Sequence, residues 1–132
     1  AQNRSPLIRI PAIGGEEARI ELRSPDPTAN PYLALAVCLK AGLEGIKEKI
    51  DPPSSVNRNI FELTDVEKKE LKIESLPSTL EEALIELEND KLLMETLGEH
   101  ISEKYITAKR DEWNQYCAQV SEWEINQYLN KF

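Results

Sequence analysis

The sequence predicts an α+β chain, with a short antiparallel β-hairpin at the N-terminus followed by a mainly helical C-terminal region. Three observations carry this reading: two short stretches that alternate with period 2 around a glycine pair, a helix start marked by Asn30-Pro31, and long runs of apolar residues at helical spacing from residue 80 onward. In "PLIRIP" the alternation sets Ile8 and Ile10 on one face and Leu7 and Arg9 on the other. In "ARIELRSP" it sets Ile20 and Leu22, expected to face the core, against Arg19, Glu21 and Arg23. Between them "AIGGEE" has turn glycines, and prolines 6, 11 and 25 punctuate the ends.

Asn30 is the predicted N-cap of a helix over 31–50, with Pro31 at its first position. Its "YLALAVCLKAGLEGI" is apolar nearly all round until Lys40, which predicts a largely buried helix. Residues 51–77 lack sustained periodicity and read as a long surface excursion holding a short helix. Ser78-Thr79-Leu80-Glu81 reads as a capping box. Leu80, Ala83, Leu84, Leu87, Met94 and Leu97 then keep helical spacing until Gly98 ends it. A last helix is expected from near Ser102 to about 128, with Ile106, Trp113, Tyr116, Val120 and Trp123 on one side. Residues 78–132 thus form C-terminal helices and a tail.

The chain has 132 residues, 40% of them hydrophobic and 30% charged, which is a globular composition of about single-domain size. It begins at Ala1 in mid-motif, which we read as a piece of something longer. A net charge of −8 argues against nonspecific attraction to nucleic acid or acidic membranes, and no apolar run is long enough to span a bilayer. Cys38 and Cys117 stand far apart, fit a reducing compartment, and are expected to be small buried residues. His100, the only histidine, is expected to be a surface or capping residue.

The charge is unevenly distributed. Residues 1–30 hold four arginines (Arg4, Arg9, Arg19, Arg23), no lysine, and four acids, whereas the acidic excess lies beyond them. Arginine used without lysine suits bidentate binding of phosphate or carboxylate. On the second strand, Glu21 has an arginine two residues away on each side, so all three side chains project from one face. Such a row can be an ordinary exposed sheet face, or a metal-ligating carboxylate beside phosphate-binding arginines. Antiparallel pairing would bring Arg4 and Arg9 toward the same face. Gathering four guanidinium groups around one carboxylate costs free energy unless an anion joins them. An anion or phosphate site is the resulting expectation, with no substrate identified.

The stretches "NRSPLIRIP" and "RIELRSPDPTANPYLALAVCLKAGLEGI" closely resemble the C-terminal signature of glutamine synthetases, and weaker similarity runs on through "NRNIFELT", "TLEEAL" and the terminal helix. The resemblance implies the C-terminal part of that family's catalytic domain over residues 1–132. It also implies ATP-dependent ligation of ammonia to glutamate through a γ-glutamyl phosphate, in the cytoplasm, with Mg²⁺ or Mn²⁺. Glu21 matches the family's glutamate on the second divalent metal. Arg23 matches an arginine on substrate glutamate and its phosphorylated form, and Arg4 one that touches both ATP phosphate and glutamate. Arg9 matches an ATP-binding arginine, and Arg19 is assigned beside it to ATP phosphate. A sister ligase that joins glutamate to another amine, or a noncatalytic helical interaction domain, are the alternatives.

Three further expectations follow from the resemblance. The family builds its site between neighbouring subunits of a homo-oligomer, here a double-ring dodecamer, so the 132-residue chain alone should be inactive. In "NIFELT", Phe61 stands where some relatives carry an adenylylated tyrosine, which implies the unadenylylated subtype with control by feedback and a nitrogen-regulator protein. The tail "VSEWEINQYLNKF" resembles the segment that grips the facing ring.

Overall fold

The computed structural model describes residues 6–11, 19–56, 58–129 and 131. The architecture is α+β, a two-stranded antiparallel sheet followed by helices, and the chain divides into two compact units, Ala1–Ser75 and Leu76–Phe132. No helix among the described residues is long and apolar enough to cross a membrane.

In the first unit, β1 (Ile8–Arg9) pairs with β2 (Glu21–Leu22), with Ile8 opposite Leu22 and Arg9 opposite Glu21. A further backbone bond from Arg23 N–H to the Leu7 carbonyl, 3.0 Å long, extends the ladder. The expected glycine turn lies outside the described residues. The alternation correctly separates the polar from the apolar face, because directly opposed residues share a face. The expectation that Ile20 and Leu22 enter a core is corrected: they are 66% and 38% exposed. A two-stranded ribbon needs another layer to cover its apolar side, and no other element among the described residues packs extensively on it.

Helix α1 (Pro31–Lys47) starts as predicted, three residues shorter at its end. The Asn30 side chain accepts from Tyr32 N–H and Leu33 N–H at 3.0 and 3.3 Å, and Pro31 occupies the first turn, where a missing N–H costs nothing. The helix closes with Lys49 in the left-handed region (φ 54°), where Lys49 N–H bonds the Ile46 carbonyl and Ile50 N–H the Gly45 carbonyl. Its predicted burial is not observed. None of its residues is buried, and Tyr32, Leu35, Leu39, Leu43 and Ile46 are each more than half exposed. Its apolar surface meets no extensive partner among the described elements. Cys38, on this helix, is likewise exposed, contrary to expectation, as is Cys117.

The excursion over 51–77 contains a 3₁₀ turn at Ile60–Glu62, capped by Asn59, and helix α2 (Asp65–Glu70). Thr64 and Glu67 form a full capping box: Thr64 Oγ1 accepts from Glu67 N–H, and the Glu67 carboxylate accepts from Thr64 N–H at 2.9 Å. Arg58 Nη2 bonds the same carboxylate at 2.8 Å. Leu63, 6% exposed, lies immediately before the cap, whereas Phe61 is 85% exposed.

In the second unit, α3 (Leu80–Asn89) and α4 (Lys91–Cys117) pack together as an αα-hairpin. The N-cap of α3 is Thr79 rather than Ser78. Thr79 Oγ1 accepts from Glu82 N–H, while Ser78 N–H and Oγ both donate to the Glu82 carboxylate at 2.7 Å. The single helix expected up to Gly98 is two, because Asp90 leaves the helical conformation (ψ 98°) and its side chain caps Leu93 N–H. Gly98 then interrupts α4: the helical conformation ends there, as expected, and a second helical segment continues beyond it to Cys117. Its φ 74° and ψ 159° are open essentially to glycine alone, and Ser102 Oγ, on a buried residue, donates to the Gly98 and Glu99 carbonyls at the start of the next segment. Leu84 on α3 is 2% exposed, and Arg110 on α4 reaches Glu88 on α3 at 2.8 Å.

The last helical segment therefore starts just past Gly98, close to the expected Ser102, and stops at Cys117, not near 128. After it, Ser121 caps α5 (Glu122–Glu124), which runs into a π-helical turn at Ile125–Leu129. The proposed single apolar side also breaks up. Tyr116 stacks on Trp113 at 5.7 Å yet is 70% exposed, Val120 lies beyond the helix, and Trp123 packs edge-on against Tyr128.

Two outcomes test these local claims. Gly98→Ala meets no steric neighbour, so its cost is that of the backbone conformation alone, about 1–3 kcal/mol in urea unfolding. Gly98→Asn should recover none of it, since the angles are not those of the left-handed helix. The Glu67 carboxyl is held down from 4.5 to about 2 by the Thr64 N–H first, then by Arg58 and the Thr64 hydroxyl. A depressed folded pKa means that this contribution is complete above pH 4.5 and fades as pH falls toward about 2. Carboxyl-carbon NMR should show Glu67 titrating near that lower value, and moving up in Arg58→Gln.

Candidate functional site: a carboxylate among arginines on the hairpin

The polar face of the hairpin gathers one carboxylate and three guanidinium groups. Pairing register places Arg9 directly across from Glu21, and the pleat carries Arg19 and Arg23 to the same face from positions two residues either side. Arg9 Nη1 donates to both Glu21 oxygens, at 3.0 Å to Oε1 and 2.9 Å to Oε2. Arg19 Nη2 stands 3.6 Å from Oε1. Arg23 acts on Glu21 through its charge. Arg4, the remaining predicted site residue, lies outside the described residues.

The Arg9 hydrogen bond is the main influence holding the Glu21 carboxyl below the usual carboxylate range. Desolvation opposes it, and the charges of Arg9, Arg19 and Arg23 add to it. The carboxylate is therefore favoured in its ionised form. The side chains are far from buried, with Glu21 32% and Arg9 44% exposed, so these pairs contribute little to folding. Their arrangement is informative for chemistry instead: three positive charges face one negative charge, leaving a surplus that attracts a polyanion.

The donor set can be weighed against a divalent metal on the same grounds. Carboxylate oxygen is a hard ligand suited to Mg²⁺ or Mn²⁺, and Mg²⁺ commonly uses one or two carboxylates together with substrate phosphates. Glu21 supplies one such ligand. Among the described residues no three His, Cys, Asp or Glu side chains come together as a metal cluster. A bare cation would be repelled by the arginines, but a cation arriving with phosphate would satisfy both charges. The residues fit a metal–phosphate pair. The specific pairing of Arg9 with Glu21 is the feature that alternation alone did not single out, since register depends on the connecting segment.

Comparison with known proteins shows the family and agrees with the fold. Residues 1–128 match the family described as glutamine synthetase, catalytic domain. The chain is similar to the glutamine synthetase of Methanosarcina mazei, 55% identical over 130 residues that make up 98% of this chain and 29% of that relative. It is similar too to the glutamine synthetase of Methanocaldococcus jannaschii, 52% identical over 97% of this chain and 28% of that relative. Among solved structures it is similar to apo GmaS without ligand, with a TM-score of 0.79 and 38% identity, covering 97% of this chain and 28% of that one. The chain thus spans less than a third of the length of these relatives. With nearly every residue inside the match, and the fold shared with the solved relative over 97% of the chain, the chain belongs to the glutamine synthetase catalytic-domain family.

Proposed function

We propose that this chain is the C-terminal part of an ATP-dependent glutamate–ammonia ligase, cytoplasmic and homo-oligomeric, and that its hairpin contributes one wall of the phosphoryl-transfer site. The convergence of Arg9, Arg19 and Arg23 on Glu21 supports this reading, together with membership of the family. A divalent cation, Mg²⁺ or Mn²⁺, when bound beside Glu21, supplies charge neutralisation for ATP phosphates.

In this reading Glu21 holds the cation through carboxylate oxygen. Arg9 and Arg19 fix the phosphates, since planar guanidinium groups match phosphate oxygens in pairs. Arg23 orients the glutamate side-chain carboxylate that takes the phosphoryl group, and Arg4 spans both substrates. As charge spreads over the equatorial oxygens of the phosphoryl group, these arginines, once seated on the phosphates, stabilise it. Ammonia then displaces phosphate from the γ-glutamyl phosphate to give glutamine.

Several assignments extend the reading to the whole protein. One carboxylate cannot complete two metal sites, so the 132-residue chain is inactive alone and works within a double-ring dodecamer. The exposed apolar residues of the tail, Val120, Trp123, Tyr128 and Leu129, suit burial against a partner subunit. Phe61 has no hydroxyl to adenylylate, which leaves control to feedback and a nitrogen-regulator protein. A ligase that uses another amine would share the Glu21 and arginine chemistry and differ only in its acceptor.

In the full-length protein, Glu21→Gln should lower turnover by about 10²-fold or more, as loss of a preorganised charge contact does. Leu22→Ala, on the opposite face, should act through stability alone. Glutamine formation assayed with ammonia and with methylamine as competing acceptors reads both the rate and the acceptor. Near-normal turnover in Glu21→Gln would overturn the metal assignment, and preference for the alkylamine would overturn the ammonia assignment. The isolated chain should form no glutamine in the same assay.

A further inference from the structure

Across β1 and β2 a single nitrogen, Nη1 of Arg9, lies 3.0 Å from one oxygen of Glu21 and 2.9 Å from the other. A donor nearly equidistant from both oxygens sits on the bisector of the carboxylate. That is the position a cation takes when a carboxylate binds it through both oxygens. Arg19 adds a second positive charge 3.6 Å from Oε1. The carboxylate is thus already engaged by cations of the protein itself.

We infer that Arg9 is a placeholder cation for Glu21, occupying the carboxylate until a divalent metal arrives with polyphosphate and then exchanging Glu21 for phosphate oxygens. The inference rests on the reading of Glu21 as a metal ligand and adds an order of events to it. A guanidinium and a divalent cation cannot share the bisector, and like charges a few ångströms apart repel even where the carboxylate offers another lone pair. Arg9 is 44% exposed, so leaving Glu21 sacrifices little packing. Strand pairing fixes its backbone opposite Glu21, so the released fork remains beside any phosphate held by the metal.

The consequence is linkage. A metal that comes alone must break the Arg9–Glu21 pair and strand a guanidinium, whereas a metal that comes with polyphosphate provides Arg9 with a new anion. Metal and nucleotide should therefore bind more tightly together than either alone, with Arg9 as the positioning residue that couples them.

The test uses full-length protein and Mn²⁺ titrations followed by electron paramagnetic resonance, at the site whose bound signal disappears in Glu21→Gln. Titrations are run without nucleotide and with a nonhydrolysable ATP analogue. Arg9→Gln should bind Mn²⁺ alone about tenfold more tightly, within the ~5–150-fold range typical of coupled sites, and should lose a similar factor of the enhancement by the analogue. Arg9→Lys keeps the charge without the fork, so its affinity for Mn²⁺ alone should stay near wild type while the enhancement falls. A merely structural role would weaken both titrations together. Unchanged or weaker binding of Mn²⁺ alone by Arg9→Gln overturns the inference while leaving Glu21 as a ligand. Should Arg9→Gln fail to assemble, an enhancement in Arg9→Lys equal to wild type overturns it. If Glu21→Gln removes no Mn²⁺ signal, the ligand assignment itself fails, and the inference with it.

Discussion

One ionic contact, between Glu21 and the guanidinium groups around it, organises the functional reading of this chain. Antiparallel register sets Arg9 against Glu21, and the pleat adds Arg19 and Arg23 at fixed spacing. An exposed ion pair of this kind does little for stability. A surplus of arginine over carboxylate is mismatched in isolation and matched once phosphate and a divalent cation enter. The same electrostatic mismatch explains why the site is described best as half of a binding equilibrium.

The apolar surfaces tell a parallel story about packing. Ile20 and Leu22 behind the charged face, and Leu35, Leu39 and Ile46 on α1, are exposed among the described residues although their pattern is that of interior residues. An all-round apolar helix is stable in water only when covered, because most helical stability in proteins comes from tertiary packing. These faces are therefore surfaces meant to be covered, consistent with a chain that spans under a third of its relatives. The second unit differs: α3 and α4 cover each other, seal Leu84, and are tied by Arg110 and Glu88.

Much of this was legible in the sequence where the cause is local. Period-2 alternation assigned the faces of the hairpin, and Asn30-Pro31 marked the start of α1, because both depend on neighbouring residues only. Caps are ambiguous in sequence where two patterns overlap. Ser78 and Thr79 stand side by side before Glu81 and Glu82, and only geometry selects Thr79. Thr64 and Glu67 carry the same capping signature within a stretch that otherwise lacks periodicity, so the start of α2 is written there locally. Gly98 is legible as a stop because glycine alone readily takes the non-helical angles that end the segment there. Burial of α1, Cys38 and Cys117 was not legible, since exposure depends on what lies across from a residue. The family signature implies what periodicity could not, namely which anion the arginines would serve.

The central claim is that Glu21 and its arginines form a site for a metal bound to phosphate. Electron–nuclear double resonance on full-length protein loaded with Mn²⁺ and a nonhydrolysable ATP analogue tests it most directly, because phosphorus coupling to Mn²⁺ appears only when phosphate oxygen is in its coordination shell. The account predicts a phosphorus coupling in the wild-type protein that is lost in Glu21→Gln and retained in Leu22→Ala. An identical coupling in wild type and Glu21→Gln would contradict it.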